Sequence, residues 1–324
     1  MKGGRNVNNY ENAPHCYFSV PVERRLIIEV TRKCNLHCSH CCSRSGPRGK
    51  DIPLQKLKEV VKKISPREIY ISGGEPFLYP QITEFVEWLK KRNIYISIAT
   101  NGTLVDKLEE VLPFVDKIQV SIDGLREDHD ELRGKGAFDT VVNCFLKKFD
   151  KLRNTQTLRI SCTLWKNETL EEEYIKSYLD FLENSIKPDE VVFNILIPVG
   201  RGSYLGKTIF LKELKIKSTV KKVASKNNNY KMKIVIHRDK PFDEKFQCPG
   251  GNKIFFYGEK GYSPCSWIYK LMPEFTNEDL KKSTEAFTSF LRTREKLGEF
   301  GCPAAAILYS NSPFRRDKLW RNSS

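Results

Sequence analysis

The chain has 324 residues, of which 40% are hydrophobic, so it is long enough to bury a large core and a smaller second unit. No apolar run approaches the roughly 20 residues of a membrane-spanning helix, and the first residues lack the apolar stretch of a signal peptide. We therefore expect a cytoplasmic protein without membrane contacts, in which ten cysteines indicate metal binding or catalysis rather than a disulfide framework.

The formal net charge is +15, and basic residues concentrate in one stretch. Between Leu205 and Lys240 there are eleven Lys or Arg residues against two acidic ones. A solvated basic face explains such a stretch, and an acidic protein or peptide partner would also suit it. Few aromatic residues interrupt it and no nucleic-acid-binding motif is present, so a nucleic-acid partner is not expected.

Six apolar, β-branched segments alternate with amphipathic ones and predict six strand–helix units. The predicted strands span residues 25–31, 68–74, 95–102, 117–124, 157–165 and 190–199. The predicted helices span residues 53–64, 81–92, 104–114, 137–152 and 170–185. This alternation is typical of parallel strands joined by right-handed crossovers. We therefore predict an α/β protein built on a partial (β/α)6 barrel, rather than a closed barrel of eight units.

The alternation stops near residue 200. A basic helix, a short strand, a hairpin and a final helix are predicted after it, over residues 211–226, 231–237, 248–267 and 284–298. We predict three parts, which are an N-terminal extension, the partial barrel and a small C-terminal α+β domain, over residues 1–24, 25–203 and 204–324.

The loop after the first predicted strand carries Cys34, Cys38 and Cys41, with Cys42 directly following. Four thiolates would suit a structural zinc ion, but the adjacent side chains of Cys41 and Cys42 tend to diverge. Three thiolates from one short loop would hold three corners of a 4Fe–4S cluster and leave the fourth iron open. The spacing favours the iron–sulfur cluster, and zinc remains the alternative.

Further motifs follow the later strands. The second strand ends in "GGEP" (73–76), and the fourth ends in "SIDG" (121–124), with "HDELRGKGAFD" (129–139) shortly after. "CPGG" and "YSPC" bracket the predicted hairpin. In this order, the cysteine loop and these motifs resemble the radical S-adenosylmethionine (radical SAM) enzymes. They are most similar to the subset with a C-terminal auxiliary iron–sulfur domain of the SPASM or Twitch kind.

The resemblance implies two cofactors, a 4Fe–4S cluster on Cys34, Cys38 and Cys41 and S-adenosylmethionine on its open iron. In such enzymes, one electron from the reduced cluster cleaves S-adenosylmethionine to a 5′-deoxyadenosyl radical, which abstracts a substrate hydrogen. A flavodoxin or ferredoxin type reductant is the implied electron donor, and the basic surface would suit its docking.

The resemblance also implies a set of residues that contact S-adenosylmethionine. The Glu75 carboxylate is expected to face the methionine ammonium, His40 to pack near the adenine, and Ser121 and Asp123 to reach the ribose or the carboxylate. The full expected set is His40, Gly73, Gly74, Glu75, Pro76, Asn101, Ser121, Asp123 and Asn167.

The resemblance implies that Cys248, Cys265 and Cys302 hold a second, auxiliary cluster, whose fourth site is open, filled by a non-cysteine ligand, or occupied by Cys16 or substrate. Cys302 has an alternative role as the hydrogen donor of a radical epimerase. Apart from that alternative for Cys16, the other four cysteines are expected not to bind metal, with Cys16 inert, Cys42 a bystander, and Cys144 and Cys162 buried as small apolar residues.

Three functions are compatible with these features. The first is a radical SAM enzyme that modifies a peptide or protein, such as a maturase of ribosomal peptides. The second is a small-molecule dehydrogenase or epimerase acting on a sugar or an aminocyclitol. The third, a non-enzymatic zinc or nucleic-acid-binding module, is the least favoured. The peptide-modifying enzyme is the leading hypothesis, although its substrate and exact reaction do not follow from the sequence.

Overall fold

Nine strands form one sheet within the residues that the computed structural model describes, which are 24–196, 199–205, 213–226, 230–236, 248 and 250–296. They are β1 (Arg25–Thr31), β2 (Glu68–Gly73), β3 (Tyr95–Thr100), β4 (Lys117–Ser121), β5 (Thr157–Leu164), β6 (Glu190–Ile195), β7 (Lys233–Ile236), β8 (Ile254–Gly258) and β9 (Gly261–Ser263). Their order across the sheet is β7-β6-β5-β4-β3-β2-β1-β8-β9. Neighbouring strands are parallel, except that β8 and β9 form an antiparallel hairpin.

Amphipathic helices connect these strands and cover one face of the sheet. They are α1 (Leu54–Ile64), α2 (Ile82–Lys90), α3 (Lys107–Val111), α4 (Arg126–Arg133), α5 (Ala137–Asp139), α6 (Lys147–Leu152), α7 (Glu172–Phe181), α8 (Glu213–Lys226), α9 (Ser266–Leu271) and α10 (Leu280–Lys296). A π-wound stretch, Thr140–Leu146, joins α5 and α6. In α1 the buried residues Leu57, Val60, Val61 and Ile64 recur at helical spacing, so that one stripe of the helix enters the core.

The two faces of the sheet differ because successive side chains of a strand point to opposite sides. Leu26 and Ile28 of β1 belong to the hydrophobic core that the strands share with the helices. The opposite face is charged at the amino ends of the strands. There Arg25 Nε lies 3.7 Å from Glu68 Oε2, and Lys117 Nζ lies 3.0 Å from Glu190 Oε2. The charges at this end are paired, whereas the motifs lie at the carboxyl ends, the edge at which parallel α/β sheets carry their active sites.

The six predicted strand–helix units are confirmed, with boundaries that differ by a few residues. The sheet itself is larger than a six-stranded one. β7 extends it beyond β6, while β8 pairs with β1 from Arg25 to Ile28 and places the C-terminal hairpin on the other edge. The helices α4 and α9 were not predicted. α4 was missed because it is short and polar, with Leu132 as its buried aliphatic residue.

No helix in the described part of the chain combines the length and the apolar character needed to cross a bilayer.

The C-terminal hairpin shares the core of the barrel, so we expect both to unfold together. Phe256 of β8 is buried and its ring centroid lies 4.5 Å from that of Tyr269 in α9. Phe256→Ala should lower the free energy of unfolding by about 3–5 kcal/mol in a urea titration that keeps a single transition. Tyr204→Ala is the matched control, because Tyr204 is 80% exposed, and it should change stability by less than about 0.5 kcal/mol. A separate early transition in Phe256→Ala would show that the hairpin unfolds on its own.

Candidate active site

The cysteine loop begins directly after β1, at the carboxyl edge of the sheet. Cys34 and Cys38 are buried and Cys41 is partly exposed. The pKa of Cys34 is raised to about 11, chiefly by burial and also by the acidic groups of Glu75, Cys38 and Cys41, while a hydrogen bond from Leu36 N opposes the rise. The three thiols are therefore close enough to influence one another.

Two distant segments hold the backbone of this loop. Arg201, in the segment after β6, donates from Nε to the carbonyl of Cys38 at 2.8 Å and from its backbone N to the carbonyl of Cys41 at 2.9 Å. From α4, the carbonyl of Leu132 accepts a hydrogen bond from the Ser39 backbone N at 3.0 Å. The loop is thus fixed from across the sheet, and Arg201 brings a positive charge to it.

The donor chemistry of the loop fits a metal–sulfur group. Three thiols are available within eight residues, and the charges of Arg133 and Arg201 favour the thiolate at Cys38, although burial raises its pKa overall. Among the described residues, no group of three or more His, Cys, Asp or Glu side chains is already arranged around the position of a single metal ion. The three thiols therefore lie near one another, but together with the other described side chains they do not form a coordination site for a single metal ion.

The segment Gly73–Pro76 packs on the start of the cysteine loop, backbone against backbone. Gly74 N donates to the Thr31 carbonyl and Glu75 N to the Lys33 carbonyl, both at 2.8 Å. A Cβ at Gly73 would lie 2.3 Å from Thr31 O, and one at Gly74 would lie 2.1 Å from Lys33 O. Since no real Cβ tolerates such distances, both glycines are needed for this contact.

The Glu75 carboxylate is fully buried and accepts three hydrogen bonds from the chain itself. Phe77 N and Thr100 Oγ1 donate to Oε1 at 3.1 and 2.9 Å, and Asn101 N donates to Oε2 at 2.7 Å. Burial outweighs these hydrogen bonds, so the pKa of Glu75 is raised to about 7. The carboxylate ties the end of β2 to the end of β3, and its contact with an ammonium group stays a prediction.

Asn101 joins the end of β3 to the cysteine loop. Its Nδ2 lies 3.9 Å from Cys34 Sγ and donates to Asn35 Oδ1 at 3.0 Å, while its Oδ1 accepts from Thr103 N at 2.9 Å. The amide is thus oriented by both neighbours, beside the first cysteine.

Asp123 is the centre of a buried polar network at the end of β4. Its Oδ2 accepts from Arg133 Nε at 2.6 Å and lies 3.6 Å from His40 Nε2, and its Oδ1 accepts from Thr163 N at 2.7 Å. Its backbone N donates to Nδ1 of His129 at 3.1 Å. The network joins β4, β5, α4 and the cysteine loop in one place.

The charge state of this network is set by burial and by one cation. Burial opposes ionisation of Asp123, but the charge of Arg133 holds the pKa of that carboxyl below its usual value. Burial lowers the pKa of His40 and of His129 to about 4, so both imidazoles are neutral at pH 7. Nδ1 of His40 has no hydrogen-bond partner among the described residues.

The remaining predicted residues lie at the same edge or in the C-terminal part. Ser121 ends β4, and Asn167 precedes the 3-10 turn Glu168–Leu170 after β5. Cys265 is buried and accepts from Ile268 N at 3.5 Å at the start of α9, and Cys248 is partly exposed. Cys16 and Cys302 lie outside the described residues. The prediction that Cys144 is buried is wrong, because its position in the helix faces solvent.

Lys270 of α9 connects the C-terminal part to the cysteine loop. Its Nζ donates to Ser43 Oγ at 2.6 Å and lies 3.4 Å from Glu29 Oε1. Burial lowers the pKa of Lys270, but the acidic groups of Cys42 and Glu29 outweigh this and raise it overall. A buried ion pair thus joins a helix near residue 270 to the loop that follows β1.

The profile of the radical SAM superfamily matches residues 28–179. This stretch contains the cysteine loop, the segment Gly73–Pro76 and the network around Asp123. The chain contains a radical SAM domain. Members of the radical SAM superfamily are enzymes, and the family implies a 4Fe–4S cluster and S-adenosylmethionine as cofactors.

Curated relatives of this radical SAM domain catalyse different reactions. The chain is 30% identical over 204 residues to Fe-coproporphyrin III synthase of Methanosarcina barkeri, covering 57% of this chain and 47% of the relative. It is 33% identical over 127 residues to the mycofactocin maturase MftC of Mycolicibacterium smegmatis, covering 36% of this chain and 32% of the relative. The chain therefore spans less than half the length of these two relatives.

Solved structures show the same radical SAM fold. SuiB of Streptococcus suis, bound to S-adenosylmethionine, superimposes with a TM-score of 0.60 at 18% identity, covering 76% of this chain and 61% of SuiB. This likeness confirms the mostly parallel α/β architecture.

Sequence reasoning missed three basic residues of this site, which are Arg133, Arg201 and Lys270. Arg133 lies in the segment "HDELRG", which signalled the family without assigning a role to the arginine. For Arg201 and Lys270 the sequence carries no comparable signal, because their partners in the cysteine loop are far away along the chain.

We expect the pH dependence of stability to reveal the buried Glu75. Because its pKa is about 7 in the folded chain and near 4.5 in the unfolded chain, the folded state holds the proton longer, and wild-type stability falls between pH 4.5 and 7. Glu75→Gln lacks this titration, and its NH₂ meets donors where the carboxylate accepted. Its stability deficit should be largest near pH 5 and shrink by about 2 kcal/mol towards pH 7.5 in urea titrations. A deficit that stays constant with pH would contradict the raised pKa.

Breaking the buried pair at Lys270 should be costly, because Glu29 would remain as a buried carboxylate without a cation. We expect Lys270→Met to lower the free energy of unfolding by about 3 kcal/mol, and Lys270→Met/Glu29→Gln to recover part of that loss. Lys107→Met is the control, because Lys107 forms an exposed pair with Glu110 and should lose less than about 1 kcal/mol. Equal losses in Lys270→Met and Lys107→Met would contradict a buried link.

Proposed function

We propose that the chain is a radical SAM enzyme that modifies a peptide or protein substrate. The observation that carries this proposal is the meeting of three thiols, the Gly73–Pro76 segment and the Asp123–Arg133 pair at one edge of the sheet. When bound, the cluster and S-adenosylmethionine supply a 5′-deoxyadenosyl radical that takes a hydrogen atom from the substrate. The protein orients both groups and excludes water from them.

Each part of this edge has a task in the proposal. Cys34, Cys38 and Cys41 would hold the 4Fe–4S cluster. Arg133 keeps guanidinium donors beyond its bond to Asp123, and these would suit the carboxylate of an amino acid such as the methionine part of S-adenosylmethionine. The other predicted contacts, from His40, Asn101, Ser121 and Asn167, remain part of the proposal, as does an ammonium contact along the Gly73–Pro76 segment.

The peptide substrate is supported by relatives and by charge. MftC is a mycofactocin maturase, and SuiB has been solved bound to its precursor peptide SuiA. The net charge of +15 would suit an acidic peptide. A small-molecule reaction is the second candidate, because the match to Fe-coproporphyrin III synthase covers more of this chain than the match to MftC does. A sugar or aminocyclitol dehydrogenase or epimerase is one form of that candidate.

The C-terminal part, residues 204–324 in the proposed division, would carry a SPASM or Twitch-like auxiliary cluster. Its proposed ligands are Cys248, Cys265 and Cys302, and the hydrogen-donor role of Cys302 is the alternative. A flavodoxin or ferredoxin type protein would supply the electron. Part of the basic surface on α8 is neutralised, because Lys222 and Lys226 pair with Glu172.

The cluster assignment predicts a clear loss of function. In reconstituted Cys34→Ala/Cys38→Ala/Cys41→Ala, iron should fall by about four atoms per chain, and no 5′-deoxyadenosine should form with S-adenosylmethionine and dithionite. The control is Cys144→Ala, which removes an exposed thiol and should keep both the iron and the product. Continued cleavage of S-adenosylmethionine by the triple variant would refute the assignment.

The substrate class is tested separately, by incubating the enzyme with precursor peptides encoded beside its gene and following their masses. A mass change that requires S-adenosylmethionine supports the peptide reaction. Turnover of small molecules alone would replace it by the second candidate.

A further inference from the structure

A basic cavity of about 520 Å³ lies at the carboxyl edge of the sheet, beside the cysteine loop. Four parts of the chain form it. They are the cysteine loop with the residues that lead into it, the loop that follows the cysteines, the segment after β6 and the turn between β8 and β9. The charged residues that line it are Arg32, Arg44, Arg48, Lys50, Arg201 and Glu259, together with His37.

The cavity has a strong excess of positive charge. Five cationic side chains line it against the single carboxylate of Glu259, which lies 3.9 Å from Arg32 Nε. Arg48 and Lys50 are exposed, and neither forms an ion pair or a side-chain hydrogen bond within the described ranges. Two full charges are thus available to a ligand.

The wall of the cavity is fixed by backbone hydrogen bonds to the segment that leads into the cysteine loop. Arg32 N donates to Lys50 O at 2.8 Å, and Cys34 N donates to Gly46 O at 3.0 Å. A Cβ at Gly49 would lie 2.0 Å from the Arg32 carbonyl carbon, so this turn requires glycine. The cations are therefore carried by a turn of defined shape.

A buried polar atom points to a ligand. Ser45 lines the cavity and is 3% exposed, and its Oγ has no hydrogen-bond partner among the described residues. A buried hydroxyl without a partner is costly, and an anion bound beside it would accept its hydrogen bond.

We propose that this cavity binds closely spaced carboxylates in an acidic segment of the peptide substrate, which rests on the peptide-modifying function proposed above. The volume is that of a ligand pocket and suits a few side chains. A docked electron-donor protein would instead need a broad face of about 800 Å² on each partner. The cavity lies next to the proposed cluster, since Arg201 lines it and also binds the Cys38 carbonyl. An acidic anchor here would hold the rest of the peptide near the reacting groups.

Binding can be measured without turnover. The probe is a fluorescein-labelled Asp-Glu-Glu-Asp tetrapeptide, added to the reconstituted full chain without reductant and followed by fluorescence anisotropy. We expect Arg48→Gln/Lys50→Gln to weaken binding by about tenfold or more, because two charge-assisted contacts are lost. Wild-type affinity should fall as the ionic strength rises.

The matched control removes the same charge elsewhere. Lys281→Gln/Lys282→Gln takes two exposed lysines from α10 and should change the affinity by less than about twofold. An uncharged Asn-Gln-Gln-Asn probe should not bind. All variants are compared at equal iron content, so that a damaged cysteine loop is not mistaken for a lost binding site.

Three results would overturn the proposal. The first is equal weakening by both double variants, which would mean that only the net charge matters. The second is citrate binding at this site more tightly than the tetrapeptide, which would assign it to a small tricarboxylate. The third is an Arg48→Gln/Lys50→Gln variant in which flavodoxin reduces the cluster more slowly while the affinity for the tetrapeptide is unchanged. That result would make the cavity a docking site for the electron donor. Peptide turnover in wild type is scored separately, so failure of the peptide reaction is distinguished from failure of the site.

Discussion

The backbone contact between the cysteine loop and the Gly73–Gly74 pair is the constraint on which the candidate active site depends. Parallel neighbours place the carboxyl ends of β1 and β2 side by side, and only glycine lets the end of β2 pack directly on Thr31 and Lys33. The Glu75 carboxylate then extends the same contact to β3. The start of the cysteine loop is therefore positioned by main-chain hydrogen bonds, which do not depend on side-chain rotamers.

The two ends of the strands differ in charge. At the amino ends of the strands, acidic and basic side chains neutralise each other in ion pairs such as Lys117–Glu190. At the carboxyl ends, cations are in excess. Arg133 and Arg201 reach the cysteine loop from α4 and from the segment after β6, and the basic cavity lies on its outer side. Burial raises the pKa of the Cys38 thiol, and the positive charge of Arg133 and Arg201 offsets part of that rise. The same positive charge suits anionic ligands, which the proposed substrate would supply.

The C-terminal part is more closely integrated with the barrel than its sequence suggests. Its hairpin adds β8 to β1, and Lys270 of α9 forms a buried ion pair with Glu29 of β1. A conformational change in the C-terminal part would therefore alter the contacts that hold the cysteine loop. This coupling gives the proposed auxiliary domain a physical route to influence the proposed cluster.

The sequence by itself determined the six strand–helix units, the α/β class, and the placement of the cysteine loop, Glu75 and Asp123 at strand ends. These follow from local periodicity and from the rule that parallel strands end on one edge. The tertiary structure decided which side chains meet there. Arg201 and Lys270 bind the loop from 163 and 227 residues away, and periodicity carries no information about such pairs. The same holds for the Glu75 carboxylate, whose three donors come from the chain itself. It holds also for the Ser45 hydroxyl, which has no partner within the described part of the chain, because both depend on how separate loops pack.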